Sequence, residues 1–190
     1  MGFWKAARNY DRMDGIVTDP SQFALYSFNV HGGFCAMNRR KLRDLGGFEP
    51  LMSPFFWEDV ELSYRAWKRG WVIHYEPNSI VCQDASHHIR GTYNRMRFER
   101  INTRNHFIFM WKNLHDPGMF LVHLGATFLH ILRALLTLRA AFILGLWDSI
   151  CQLPAILSKR RKEKKDSRIK DRHIQKTFMD FKKNGAIVIK

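Results

Sequence analysis

The feature that most constrains this chain is a strongly apolar run, Met119 to Leu157, set between a charged, motif-rich first part and a basic tail. Such a run must be covered by protein or by lipid. It makes a poor transmembrane span, because a bilayer core asks for about 20 apolar residues in a helix and Arg133 and Arg139 interrupt it. Turned at about 100° per residue, His123, Thr127, His130, Thr137, Asp148 and Gln152 fall within one stripe, while Arg139 projects to the apolar side. The pattern predicts helices lying in a membrane interface, their polar stripe facing water or the rest of the protein. The cluster Lys159-Arg160-Arg161-Lys162 and Lys164-Lys165 follows, suited to anionic headgroups. A weakly amphipathic stretch runs from about Ile174 to Phe181.

The formal net charge of +14 implies an anionic partner: nucleic acid, a membrane surface or a phosphorylated substrate. No helix-turn-helix, zinc-finger or RNA-binding signature is visible, so nucleic acid is not expected. The clustering of basic residues after an amphipathic apolar segment favours the membrane surface. A composition 46% hydrophobic excludes the disordered class and supports one core with an appendage. Cys35, Cys82 and Cys151 are odd in number, far apart and lack a Cys-x-x-Cys, which argues against a disulfide framework or zinc ribbon and for a reducing compartment. Met1 to Lys5 lead into polar residues, so no secretory leader is expected.

Asp116-Pro117-Gly118 is the expected boundary, dividing the chain into 1–116 and 117–190. Before it, residues 1 to about 30 read as loop, with a short strand near Phe23 to Phe28. His31-Gly32-Gly33 leads into Phe34-Cys35-Ala36-Met37, which reads as a buried strand after a close backbone approach. Asn38 is the expected N-cap of a helix to Leu45, stopped by Gly46-Gly47. A loop with two prolines follows, then a helix from Glu58 to Arg69 with Gly70 as its stop; Glu61 and Arg65, four apart, are expected to pair on its exposed face. Short strands are expected at Trp71–Tyr75 and Ser79–Cys82, and a long helix at Thr92–Asn113 bearing Arg95, Arg97, Arg100 and Arg104, with Arg90 just ahead of it.

Chemistry concentrates at Phe55-Phe56-Trp57-Glu58-Asp59-Val60-Glu61-Leu62. A carboxylate at a helix start, behind three aromatics, can take a proton from a hydroxyl, and the rings reduce its hydration and raise its pKa. Taken alone, an acidic pair there is what any helix dipole favours. The wider context decides: Gly32-Gly33-Phe34-Cys35-Ala36-Met37-Asn38-Arg39-Arg40, Leu45-Gly46-Gly47-Phe48-Glu49-Pro50, Trp57-Glu58-Asp59-Val60-Glu61-Leu62, Lys68-Arg69-Gly70-Trp71 and Tyr75-Glu76-Pro77, in that order, over residues 30 to 115. This series resembles family 2 glycosyltransferases.

The resemblance implies an α/β fold, the C-terminal part of a GT-A domain, followed by a helical tail. It implies an inverting, hexosyltransferase-like transfer from a nucleotide-sugar donor to a glycan or lipid-linked acceptor. Asp59 takes the role of general base and Glu58 orients neighbouring groups. Gly32, Gly33, Trp57 and Glu61 line the sugar and acceptor side, and Arg90 and Arg95 reach toward the diphosphate. It also implies a divalent cation, Mg or Mn, in the complete enzyme. Two departures stand out. No Asp-x-Asp occurs, so the donor-binding half is expected elsewhere, as a separately encoded chain or lost. The position where the family places a metal-binding His is Gln83, with His87 and His88 close but offset, which leaves the metal ligands open. The alternatives are a catalytically silent remnant, one half of a two-chain transferase, or a basic membrane-surface-binding protein. The expected location is peripheral, on the cytoplasmic side of the cell membrane.

Overall fold

The computed structural model describes residues 25–76, 79 and 94–184. Among these, the elements are β1 (Leu25–Tyr26), α1 (Arg39–Leu45), a 3-10 turn (Pro50–Met52), α2 (Glu58–Lys68), β2 (His74–Tyr75), α3 (Arg95–Asn113), α4 (Pro117–Leu136), α5 (Ala140–Cys151), α6 (Leu153–Asp166) and α7 (Asp171–Asn184). The expected α/β character is represented among the described residues by one antiparallel pair, with Leu25 opposite Tyr75 and Tyr26 opposite His74. Gln83, His87, His88, Arg90 and the Ser79–Cys82 strand beyond Ser79 lie outside the described residues.

Local chemistry sets the element ends. Asn38 caps α1 by accepting from the N–H groups of Arg40 and Lys41, and Gly46 closes it at φ 82°. Helix α2 ends at Lys68 with Arg69 as its C-cap, and Gly70 follows at φ 75°. Asn94 caps α3 through Arg97 N–H. Asp116 caps α4 through Met119 N–H, ahead of Pro117 in its first turn.

The core is formed by Met52, Val60, Tyr64, Ile108, Phe109, Ile156, Ile174 and Phe178. These residues come from the 3-10 turn and from α2, α3, α6 and α7. Ile108 and Ile156 are fully buried, and each such side chain stabilises by about 1.5–3 kcal/mol. Asp116-Pro117-Gly118 lies at the junction of α3 and α4, and core residues come from both sides of it. Helices α5 and α6 fold back onto α3, and Gly145 of α5 crosses it closely: a Cβ there would lie 2.6 Å from Arg100 O.

Three expectations are corrected. The segment His31–Met37 is not a buried strand; it is an exposed turn and irregular chain, in which Phe34 N–H donates to His31 O at 2.8 Å. The glycine pair bends the backbone, and no strand pairs with it among the described residues. The Glu61–Arg65 pair forms, at 2.7 Å, but inside the protein, with Glu61 0% exposed. The polar stripe is not one helix face, because the helix stops at Leu136 and restarts at Ala140, with Leu138 at φ 50°. His123 is buried, Asp148 belongs to α5 and Gln152 caps its end, and Arg139 meets Glu99 at 3.4 Å. Ending α4 at Leu136 also leaves Arg139 outside it. The helix alone has 20 residues and mean hydropathy 1.7, long and apolar enough to cross a membrane by length and composition.

A chain of alternating buried charges ties these elements together. Lys112 Nζ of α3 donates to Glu49 Oε2 at 2.5 Å and to Glu61 Oε1 at 2.6 Å. Lys159 of α6 meets Glu49 at 2.5 Å. Arg65 grips Glu61 and donates to the carbonyls of Leu45 and Gly47. Burial alone would raise the Glu49 carboxyl, but Lys112 and Lys159 outweigh it and hold it at about 2. Lys112→Met should strand Glu49 and Glu61 as incompletely paired buried anions and cost about 3–5 kcal/mol. Urea unfolding of the purified chain measures this; a loss within experimental error would show that the network does not depend on Lys112.

Candidate functional site

The start of α2 has an unusual entry. Phe56 and Trp57 both adopt φ 73°, a left-handed conformation strained for bulky residues, at about 1–3 kcal/mol each. Asn105 of α3 holds this turn: its fully buried side-chain amide donates to the carbonyls of Met52, Phe55 and Phe56 at 2.7, 2.8 and 2.9 Å. Trp57 Nε1 donates to Asn102 Oδ1 at 2.9 Å, and its ring lies 4.8 Å from His106 and 5.3 Å from Phe109. Trp57 therefore packs on one face of α3, and the next two residues, Glu58 and Asp59, begin α2 in a fixed direction.

Asp59 sits at the helix start with its Oδ1 accepting from Val60 N–H at 2.7 Å. The loop before α1 closes over it. Val30 N–H donates to Ser63 Oγ, which donates to Asp59 O, so the loop is anchored to the first turn of α2. A Cβ on Gly32 would stand 3.9 Å from Asp59 Cβ, within ordinary contact, so the glycine lies beside this residue. Gly33 is exposed beside His31. Burial, reinforced by the charge of Asp59, pushes the Cys35 thiol up.

Glu58 is half-buried, and its Oε2 has no hydrogen-bond partner among the described residues. Burial is the main cause of a raised carboxyl pKa; its own backbone N–H partly offsets that, and the charge of Asp59 adds to it. The two neighbouring carboxyls differ in environment: Asp59 Oδ1 accepts from Val60 N–H, while burial is the main influence on Glu58.

The structure brings together Gly32, Trp57, Glu58 and Asp59. It does not bring Glu61 to them as a free group, because Glu61 is turned inward onto Arg65 and Lys112 and holds the scaffold. Arg95 is also apart: its side chain is 92% exposed and pairs with Glu99 four residues on. Cys35, Asn102, Asn105 and His106 belong to the site and were not singled out as site residues by sequence reasoning. The spacing of Asn102, His106 and Phe109, at i, i+4 and i+7, was the signal available. Burial pulls the His106 imidazole down to about 4, so it is neutral against Trp57 near neutral pH. Among the described residues, no three His, Cys, Asp or Glu side chains converge to hold a metal ion.

Comparison of the chain with protein-family models, with curated proteins and with solved structures yields no match.

The raised Glu58 carboxyl has a stability consequence. A carboxyl with a folded pKa above its unfolded value favours the fold at low pH, and that contribution is lost as pH rises through the folded pKa. Glu58→Gln should therefore raise the melting temperature at pH 7, and the gain should shrink as pH falls through the raised folded value and be gone below about 4.5, the ordinary glutamate value. Thermal melts at both ends of this range measure it; a gain that does not change with pH would mean that charge is not the cause.

Proposed function

We propose that this chain carries the acceptor-side, catalytic-base part of an inverting glycosyltransferase of the family 2, GT-A type, working at an anionic membrane surface. The observation that best supports this reading is the approach of Gly32 to Asp59, 3.9 Å from a Cβ at residue 32. Two motifs distant in sequence meet at one carboxylate. A third, Leu45-Gly46-Gly47, is tied to the same helix by Arg65.

In this reading Asp59 accepts the proton of an acceptor hydroxyl. The oxygen's electron pair forms a bond to the anomeric carbon of the donor sugar. The bond to the nucleotide diphosphate breaks on the opposite face, that group leaves with the electron pair, and the configuration inverts. Glu58, beside Asp59 at the start of α2, orients neighbouring groups. Trp57 and Gly32 wall the acceptor side. The donor-binding half, with the Asp-x-Asp that this sequence lacks, completes the site, and no step is assigned here to a metal ion.

Asp59→Asn keeps the shape and removes the proton acceptor. In the enzyme assembled with its donor-binding half, turnover should fall by about 10² to 10⁴. Near-normal turnover would overturn the assignment, and robust transfer by this chain alone would overturn the need for a second half.

A specific observation supports the membrane part. The outer face of α4 is unpartnered, with Leu121, Val122, Phe128, Leu129, Leu135 and Leu136 exposed. Arg161, Lys162, Lys164 and Lys165 of α6 are exposed as well. An apolar face followed by a basic helix suits the cytoplasmic surface of an anionic bilayer. The chain should float with anionic vesicles, and binding should weaken with salt. Replacing the four exposed basic residues by Gln should lower binding by at least tenfold, at roughly 1 kcal/mol per residue. Indifference to lipid would sink this part.

A further inference from the structure

Helix α1 buries none of its residues. Its seven residues carry four basic side chains, Arg39, Arg40, Lys41 and Arg43, against one acidic, Asp44. Lys41 is occupied, its Nζ lying 5.2 Å from the centre of the Trp71 ring. Arg39, Arg40 and Arg43 are exposed, and their guanidinium groups enter no ion pair or hydrogen bond among the described residues, not even with Asp44, four residues after Arg40. Arg43 stands i+4 from Arg39 and i+3 from Arg40, so the three share one side of the helix. Like charges at these spacings destabilise a helix, and an anionic ligand reverses that.

The chain leading into α1 joins this face to the surroundings of Asp59. Gly32 lies beside Asp59, a Cβ there being 3.9 Å from Asp59 Cβ. Two residues on, Phe34 is 42% exposed and stacks on exposed His31, with ring centroids 5.0 Å apart and planes inclined by 27°. Burial and then the charge of Asp59 raise the Cys35 thiol, so the chain is still near the carboxylate there. Helix α1 begins four residues later, and the reach of an extended chain puts Arg39 Cα no more than about 14 Å from Cys35 Cα. The surface therefore runs from two carboxylates, past a stacked ring pair, to three free guanidinium groups. That polarity selects the ligand. An exposed ring plane accepts the apolar C–H face of a sugar, and guanidinium forks match carboxylate and phosphate oxygens. A nucleic acid carries a phosphate at every step and would bring one against Asp59 and Glu58. A glycan can present a neutral hydroxyl there and hold its charge further along.

We propose that residues 31–34 and α1 bind an anionic glycan acceptor, a sugar chain whose carboxylate or phosphate groups are set back from the hydroxyl that reacts at Asp59. This rests on the reading of Asp59 as the base for the acceptor. The sugar next to the reacting one lies on Phe34 and His31, and the anionic group beyond it is gripped by Arg39, Arg40 and Arg43.

The test reads Cys35, which lies in the chain between the ring pair and α1. The purified chain is alkylated with N-ethylmaleimide and mapped by mass, with exposed Cys151 as the internal reference. Tetragalacturonate or phosphorylated maltotetraose should slow modification of Cys35 and not of Cys151; protection by the first alone assigns a carboxylate, by the second alone a phosphate. Maltotetraose, tripolyphosphate and a thymidine oligonucleotide at the same concentration should not protect. Arg39→Gln with Arg43→Gln should raise the concentration needed by roughly tenfold, and Phe34→Ala should raise it too. Lys170→Gln with Lys176→Gln, exposed basic residues outside the patch, should leave it unchanged. Protection by neither anionic glycan, equal protection by maltotetraose, or indifference to the arginine replacements would overturn the proposal. Equal protection by tripolyphosphate or the oligonucleotide would make α1 a general polyanion surface and overturn the glycan assignment. Turnover of the assembled enzyme separates the two readings. Protection of Cys35 with Asp59→Asn fully active keeps the glycan surface and removes the base; loss of turnover in Asp59→Asn without protection keeps the base and removes the anionic acceptor.

Discussion

The organisation of this protein depends on one ammonium group, Lys112 Nζ, placed between the carboxylates of Glu49 and Glu61. With Lys159 and Arg65 at either end, five charges alternate in sign across the loop before α2, α2 itself, α3 and α6. Buried ion pairs add little net stability over an apolar core of the same shape, but they specify arrangement. Apolar faces can slide by part of a turn with small loss; an ammonium bonded to two carboxylates cannot. The register of α2 on α3 is thereby fixed, and with it the contact of Trp57 with Asn102, His106 and Phe109 on which the direction of Asp59 depends.

A second hub makes the C-terminal helices part of the same construction. Asp171, at the start of α7, accepts from Tyr64 and Lys68 of α2 and from the backbone N–H groups of His115 and Asp116 at the α3–α4 junction. Arg160 donates to the carbonyls of Trp111 and Leu114, closing the end of α3. The basic cluster of α6 is therefore divided in its work. Lys159 and Arg160 face inward as structural cations, while Arg161, Lys162, Lys164 and Lys165 remain for the surface.

Much of the local structure was legible in the sequence because it is local. Asn38 and Gly46-Gly47 bound α1, and Gly70 stops α2, through hydrogen bonds and φ angles settled within a few residues. The pairing of Glu61 with Arg65 was readable from spacing, but its burial was not, since that depends on Lys112, 51 positions away in the chain. The Asp59 and Gly32 neighbourhood was readable only through the order of the motifs. The roles of Asn105 and Asp171 were hidden because each satisfies backbone groups from distant segments, which no periodicity reports. The polar stripe failed for a plainer reason: Leu138 interrupts the helix, and angular phase counted across such a break has no meaning.

The crossing at Gly145 carries a mechanical consequence. A Cβ there would stand 2.6 Å from Arg100 O and 2.8 Å from Thr103 Cβ, so the backbone of α5 lies directly on α3 at residues 100 and 103. The two helices also meet along much of α5, so a larger residue at 145 would have to part the pair as a whole. Their spacing, and with it the seat of Asp148 against Arg100, is therefore set by the smallness of one residue.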